Sequence, residues 1–260
     1  AKSKYEYVKG FEIEDPLLQS CWIVVRLDGR SFHKFSDEHK FEKPNDIQAL
    51  NLMNKCAYQV FKEFGECVVF AYGESDEYSF VLKPETTLFN RRTSKIVSTF
   101  SSLFSSNYVF YWNEFFPNKK LLYPPCFDGR CVLYPNVQIL RDYLSWRQVD
   151  CHINNLYNTC FWTLVLQGGK TTTEAEEALR GTLSEQKNEL LFSTFGINYN
   201  NLPQIFRKGS IICKMNVEEQ VTDSRTNEIV TRKKKRLVIV HEDIIADKFW
   251  NNNPHILGQQ

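Results

Sequence analysis

Apolar residues along this chain fall into short β-branched runs separated by longer stretches with helical spacing. Cys21–Leu27 (CWIVVRL) predicts a first strand, ended by the turn signal Asp28-Gly29. Asn45 or Asp46 caps a predicted helix running to about Phe64. Its apolar positions Ile47, Leu50, Met53, Ala57, Val60, Phe61 and Phe64 keep a helical period, and Gly65 stops it. Cys67–Tyr72 and Glu77–Leu82 predict a hairpin around the turn GESD, Gly73–Asp76. Asn90 opens a second predicted helix to about Phe110, and Arg130–Tyr134 predicts a fourth strand after a turn at Asp128-Gly129. The order β-α-β-β-α-β is the ferredoxin-like arrangement. In it the first and third strands are antiparallel neighbours, so Asp28 comes to lie beside Asp76 and Glu77, with Asp128 and Arg130 starting at the same edge.

Past about residue 135 the pattern turns helical, over 138–147, 150–167, 173–181 and 184–194, with Thr173/Glu176 and Thr182/Glu185 as capping boxes. After the polar loop NYNNLP a β-hairpin is predicted, Ser210–Val217 with Leu237–His241. The expected architecture is therefore α+β: a βαββαβ unit over residues 1–135, then a largely helical half, 136–260, carrying a β-hairpin.

Composition narrows the function. At 42% hydrophobic and 24% charged, 260 residues make an ordinary globular protein with a sizeable core. The net charge of +1 rules out a global basic field, so any nucleic-acid contact uses local patches. Candidates are Arg91, Arg92 and Lys95; Arg207 and Lys208; and the run RKKKR at 232–236, just before the hairpin's second predicted strand, which reads equally as a solvated tip. The eight cysteines show no CxxC or Cys/His metal spacing, and neither a signal-peptide pattern nor a glycosylation sequon occurs. A reducing compartment with free thiols is expected, the cytoplasm being preferred and nucleus or mitochondrion left open. The longest uncharged stretch, Cys151–Gly169, carries His152, Asn154, Asn155, Asn158 and Gln167, a poor membrane span, so a soluble protein without membrane contact is expected.

Three acids carry the chemistry. Taken singly, Asp28, Asp76 and Glu77 read as turn residues. Brought together by the topology they read as a site for two divalent ions, since bridging carboxylates make close metal pairs tolerable. Magnesium keeps waters, so two carboxylates plus a backbone carbonyl suffice, and Gly29 leaves its carbonyl unobstructed. The segment Gly29–His33 (GRSFH) could turn backbone N–H groups toward phosphates, with Phe32 or His33 against a base, although aromatics after a turn are usually core. Arg91, Arg92 and Lys95 near a helix N-terminus suit triphosphate oxygens or a solvated face equally, and Lys43 beside Asn45 is a weaker candidate. GGKTTT, 168–173, fails the phosphate-loop pattern because Leu164 stands where its first glycine belongs. In HINNLYN, 152–158, the residues Ile153, Leu156, Tyr157, Cys160, Phe161 and Leu164 form the expected apolar stripe. His152, Asn155 and Thr159 share another face, which spacing alone favours as a satisfied polar face over one that reads bases.

The runs RLDGR, KPND, YGESDEYSF, NRRTSK, YVFYW, LLYPP, FDGR, YLSWRQVDCHINNLYN, KNELLF and INYNN resemble the eukaryotic tRNA(His) guanylyltransferase family over nearly the whole chain. YLSWRQ with HINNLYN is the most specific stretch. The resemblance implies a polymerase-type palm for the first half. It also implies a reaction: ATP activates the 5′-monophosphate of tRNA(His), the 3′-hydroxyl of GTP attacks and releases AMP, and the terminal pyrophosphate is removed, a reverse, 3′-5′ polymerisation. By the same resemblance Asp28, Gly29 and Asp76 would hold two Mg²⁺ ions, with Glu77 in support. GTP and ATP would be met by Asp28, Gly29, Arg30, Ser31, Phe32, His33, Lys43, Asn45, Ser75, Asp76, Arg92, Lys95 and Arg130. His152, Asn155, Lys187, Asn198 and Asn201, joined by the basic Arg207 and Lys208, would contact tRNA, and a homotetramer is implied. The alternatives are another palm-type nucleotidyltransferase, such as a template-dependent tRNA 5′-end repair polymerase, or a non-catalytic RNA-binding module.

Overall fold

Alternate residues of the first strand are buried in two different layers, and this sets the architecture. The computed structural model describes residues 3–222 and 229–258. Strand β1 (Trp22–Gly29) sends Ile23, Val25 and Leu27 into one core and Trp22 and Val24 into another. The first core lies under helices α2 (Ile47–Glu63) and α3 (Thr93–Phe115), and is rich in ring contacts such as Phe64 stacked on Phe100 and Phe80 edge-on to Phe104. The second lies under the start of α4 (Val137–Leu166) and a C-terminal segment that includes the short helix Asp247–Asn252. With β2 (Val68–Glu74), β3 (Glu77–Leu82), β4 (Phe127–Tyr134), β5 (Ser210–Thr222) and β6 (Ile229–Val240), the sheet runs β4-β1-β3-β2-β5-β6. All five pairings are antiparallel. The α+β, ferredoxin-like palm is the fold observed.

The C-terminal hairpin does more than expected. It is longer than predicted, and β5 pairs with β2, so strands from both sides of residue 135 share one sheet. The run 232–236 lies inside β6 and not before it, because Lys and Arg stems are as compatible with an exposed edge strand as with a loop.

Four other expectations shift. Asp128-Gly129 is within β4, not a turn: Asp128 faces Asp28 across the ladder. A short helix α1 (Phe32–Glu38) follows β1; seven residues with one buried apolar position, Phe35, leave no helical period to read. Helix α4 is unbroken where two helices were predicted. Its first half packs on the sheet and its second half, through Leu156, Cys160 and Leu164, packs on α5 (Thr172–Leu179) and α6 (Ser184–Phe195), so the apolar face changes without any chain break. The capping boxes fall elsewhere: Thr171 pairs with Glu174, and Gln186 accepts from the Leu183 N–H.

Arg91 also changes role. It is buried and donates to the backbone carbonyls of Leu17, Pro84, Thr86, Leu18 and Cys21, which closes the chain around the start of β1. It is no phosphate ligand. A lysine cannot span that fan of acceptors, so Arg91→Lys is expected to lower unfolding free energy in urea by about 2–3 kcal/mol through orphaned buried carbonyls. A loss under ~0.5 kcal/mol would contradict this role.

Candidate active site

The pairing register lines up four carboxylates across the end of the sheet. Glu74 faces Glu77, Glu77 faces Asp28, and Asp28 faces Asp128. Directly opposed residues project to one face, here the α4 face, and adjacent like charges destabilise. Three of the four are relieved. Burial first, and then the field of Glu77, raises Glu74 to about 8, so it is mostly protonated at neutral pH. Glu77 accepts from Arg147 of α4 at 3.2 and 3.1 Å, and the guanidinium also lies 3.3 Å from Asp150 and over the Trp146 ring. Burial still outweighs Arg147 and leaves Glu77 above the usual carboxylate range. Asp128 is paired with Arg130 at 2.8 Å. Among the described residues Asp28, unlike Glu77 and Asp128, has neither ion pair nor hydrogen bond from its side chain.

Asp76 closes over the end of β1 from the hairpin turn. The Gly29 N–H donates to its carbonyl at 3.0 Å, and a Cβ at Gly29 would stand 2.9 Å from its carboxylate oxygen and 2.5 Å from the Phe32 ring. Only glycine lets the carboxylate settle there. Burial raises the Asp76 carboxyl, Ser75 opposes by donating at 3.0 Å, and Asp28 adds to the rise, which places the two acids in one field. Both turns hold a serine in left-handed backbone, Ser31 at φ 55° and Ser75 at φ 47°, a cost of about 1–2 kcal/mol each that function-bearing turns often carry. No three His, Cys, Asp or Glu side chains converge on an ion position among the described residues. The donor set is two carboxylates, one otherwise unpartnered, beside the Gly29 backbone, which suits a cation that keeps water and phosphate oxygens.

Next to Asp76 opens a cavity of about 430 Å³ between the palm and the second half of α4. Of the predicted nucleotide residues it is lined by Phe32, His33, Lys43, Asn45, Ser75 and Asp76. Lys43 is held by Asp37 at 2.7 Å and lies over the Trp162 ring. Phe32 is half-buried, stacked on Phe35, with its remainder toward the cavity. The far wall is Tyr157, Asn158, Phe161 and Trp162 from α4, with Glu176 from α5. Sequence reasoning placed Tyr157 and Phe161 in the helix's apolar stripe and overlooked Trp162; the aromatic density of this stretch was the available signal. It also missed Arg147, whose partner lies 70 positions away.

The remaining predicted residues spread out. Arg30 and Ser31 are exposed on the loop after β1, with the Arg30 N–H donating to Cys126. Arg130 stands beside the carboxylate row. Arg92 and Lys95 do not join it: Arg92 bridges to Pro16 and follows Arg91, which grips Cys21, so they sit at the opposite end of β1, on the order of 20 Å of strand away. Asn155 is buried, its amide accepting from Asn45 at 2.8 Å and donating to the Tyr199 hydroxyl at 3.0 Å; it ties the cavity rim to the helical half. The face of His152, Asn155 and Thr159 is thus turned inward, whereas Ile153, expected in the core, is 52% exposed. Burial, and then Arg207, lowers the His152 pKa. Lys187 donates to the Thr182 carbonyl, and Arg207 to that of Leu202. Asn198 and Asn201 are exposed around the short turn Tyr199–Asn201, and the Lys208 carbonyl accepts from Tyr72 and Gln148.

Comparison with known proteins agrees with this architecture. A family model described as tRNAHis guanylyltransferase matches residues 5–135, and one described as Thg1 C terminal domain matches 138–246. The chain is 59% identical to a probable tRNA(His) guanylyltransferase of Dictyostelium discoideum over 100% of both chains. It is 53% identical to the tRNA(His) guanylyltransferase of Schizosaccharomyces pombe over 98% of both. The crystal structure of the Saccharomyces cerevisiae enzyme superposes with a TM-score of 0.78 at 50% identity, covering 90% of this chain and 96% of that one. A bacterial tRNA(HIS) guanylyltransferase-like protein solved in complex with ATP shares the fold, with a TM-score of 0.72 at 20% identity over 98% and 96% of the two chains.

Proposed function

The chain belongs to the tRNA(His) guanylyltransferase family of nucleotidyltransferases, and from that premise we propose that it adds a guanylate from GTP to the 5′ end of tRNA(His) in an ATP-activated, Mg²⁺-dependent, 3′-5′ reaction. The observation that carries this reading is Asp76 at an aromatic-walled cavity, its carboxyl raised in part by Asp28 from the end of β1.

In the proposed sequence the 5′-phosphate of the RNA attacks the α-phosphorus of ATP, and pyrophosphate leaves. The 3′-hydroxyl of GTP then attacks the activated 5′-phosphorus, AMP leaves, and removal of pyrophosphate from the added guanosine leaves a monophosphate end. Two Mg²⁺ ions on Asp28, Asp76 and the Gly29 carbonyl would supply hydroxyl activation and charge neutralisation on the leaving phosphate. The chain's own part is positional. Lys43 would meet phosphate oxygens at the cavity rim, and Phe32 with the α4 aromatics would flank a base. Arg147 holds the Glu77 carboxylate opposite Asp28 through two hydrogen bonds. Arg30, Ser31, His33, Asn45, Ser75 and Arg130 would complete the nucleotide contacts. His152, Lys187, Asn198, Asn201, Arg207 and Lys208, beyond the cavity, would meet the RNA, with Asn155 bracing them. Arg92 and Lys95 could serve a nucleotide only outside this cavity, as in the proposed homotetramer.

Incubating the chain with 5′-monophosphorylated tRNA(His), ATP, labelled GTP and Mg²⁺ tests the reading. Label at the 5′ end is expected, dependent on ATP and metal. No label from the intact chain would sink it, and equal labelling of tRNA(Phe) would count against the His152 region selecting the tRNA.

A further inference from the structure

We infer that the outer part of the β5–β6 hairpin binds the phosphate backbone of the RNA substrate, at a point far from the reacting 5′ end. The inference rests on the guanylyltransferase reading for its substrate. β2 pairs with β5 only through Phe70–Gly73 against Cys213–Ser210. Beyond Cys213 the two strands pair with each other alone and form an arm reaching on the order of 30 Å past the sheet. The hairpin sequence 214–237 carries seven Lys or Arg against four Asp or Glu, a local +3. The whole chain is only +1, so all the rest sums to −2 (+1 minus +3). Positive charge is concentrated on this arm, and a polyanion is the partner that such a distribution steers.

Glu218 and Glu219 are shared among several of the arm's cations. Glu219 alone serves both Arg236, at 2.9 Å, and Lys234, at 3.6 Å. Glu218 lies 3.8 Å from Lys233 in an exposed pair, and Lys235 faces Asn216 with no carboxylate partner among the described residues. Exposed pairs of this kind are worth little, so exchange for phosphate oxygens costs little. A second copy of this chain fits less well, since a Lys-lined edge strand repels another strand.

Direction fixes where on the RNA the contact falls. β5 begins beside Gly73, at the end of the sheet that carries the acids, and runs away from it. Lys233 and Lys235, opposite Glu218 and Asn216, therefore lie on the order of 20–25 Å along the sheet from Gly73. A contact there supports binding and leaves the chemical step alone.

The test pairs the full chain carrying Lys233→Gln and Lys235→Gln with two RNAs: intact 5′-monophosphorylated tRNA(His), and a short hairpin bearing only its acceptor stem. For the intact tRNA, Kd and KM should rise about tenfold at ~0.1 M salt. The slope of log affinity against log salt should fall by about 1.4–1.8, at ~0.7–0.9 per lost phosphate contact. Turnover number and affinity for the hairpin should not change. Unchanged affinity and slope for intact tRNA would mean a merely solvated arm. Equal losses on both RNAs would put the contact at the reacting end, and an altered sedimentation coefficient would assign the arm to a protein partner; each overturns the inference. If the unsubstituted chain adds GTP to neither RNA, the enzyme reading fails instead.

Discussion

Asp76→Asn is expected to reduce GTP addition by on the order of 10³-fold or more, about 4 kcal/mol of transition-state stabilisation, while leaving the fold intact. The amide keeps the shape that Gly29 accommodates and keeps the backbone carbonyl that accepts from the Gly29 N–H. It removes only the charge. That charge costs stability in the folded chain, because burial raises the Asp76 carboxyl above its ordinary value and Asp28 adds to the rise. A raised carboxyl binds its proton more tightly when folded, so its stabilising contribution is present at low pH and lost as pH rises through the folded value. The variant should therefore melt at or above the parent temperature, with the gain larger at pH 8 than at pH 5. Transfer within tenfold of the parent rate would remove Asp76 from the metal pair. A lower melting temperature at both pH values would show that the amide disturbs the turn, and Asp28→Asn, free of those contacts, would then carry the test.

How much of this site the sequence disclosed depends on the range of the contacts involved. The two acidic turns were legible because strand periodicity gives topology, and topology brings Asp28 to Glu77. The helix cap at Asp46 was legible because capping is local. The extension of the row to Glu74 was hidden, and Asp128 was legible only as lying at the same edge, because strand limits off by two or three residues turned ladder positions into turns. Burial of Arg91 and separation of Arg92 and Lys95 from the acids were equally hidden, since a basic cluster reads the same whether it meets phosphates or carbonyls. The inward turn of His152 and Asn155 follows from Tyr199 and Asn45, partners supplied by other segments. Spacing had favoured a satisfied polar face there, and Asn155 is one.

Arg147→Met should show how the helical half is tied to the acids. Arg147 is 5% exposed, and its guanidinium is the hydrogen-bond partner of the Glu77 carboxylate among the described residues, opposite Asp28. Methionine fills most of the volume and leaves Glu77 buried without a counter-charge, so a loss of about 3–5 kcal/mol is expected at neutral pH. The loss should depend on pH. Burial already holds Glu77 above the usual range, with Arg147 as the chief opposing influence; without it the carboxyl rises further, toward neighbours Glu74 and Asp28 that cannot relieve it. Stability from such a group is present below the ordinary glutamate value and drains away as pH climbs through the folded one. Parent and variant should thus differ less at pH 5 than at pH 8. Adding Glu77→Gln to Arg147→Met should recover part of the stability, because the double variant buries no lone charge, and the non-additivity in a double-mutant cycle measures the coupling. Equal losses at both pH values with additive energetics would leave Arg147 as packing alone. A pH-dependent, non-additive loss would make it the counter-charge that ties α4 to the carboxylate beside Asp28.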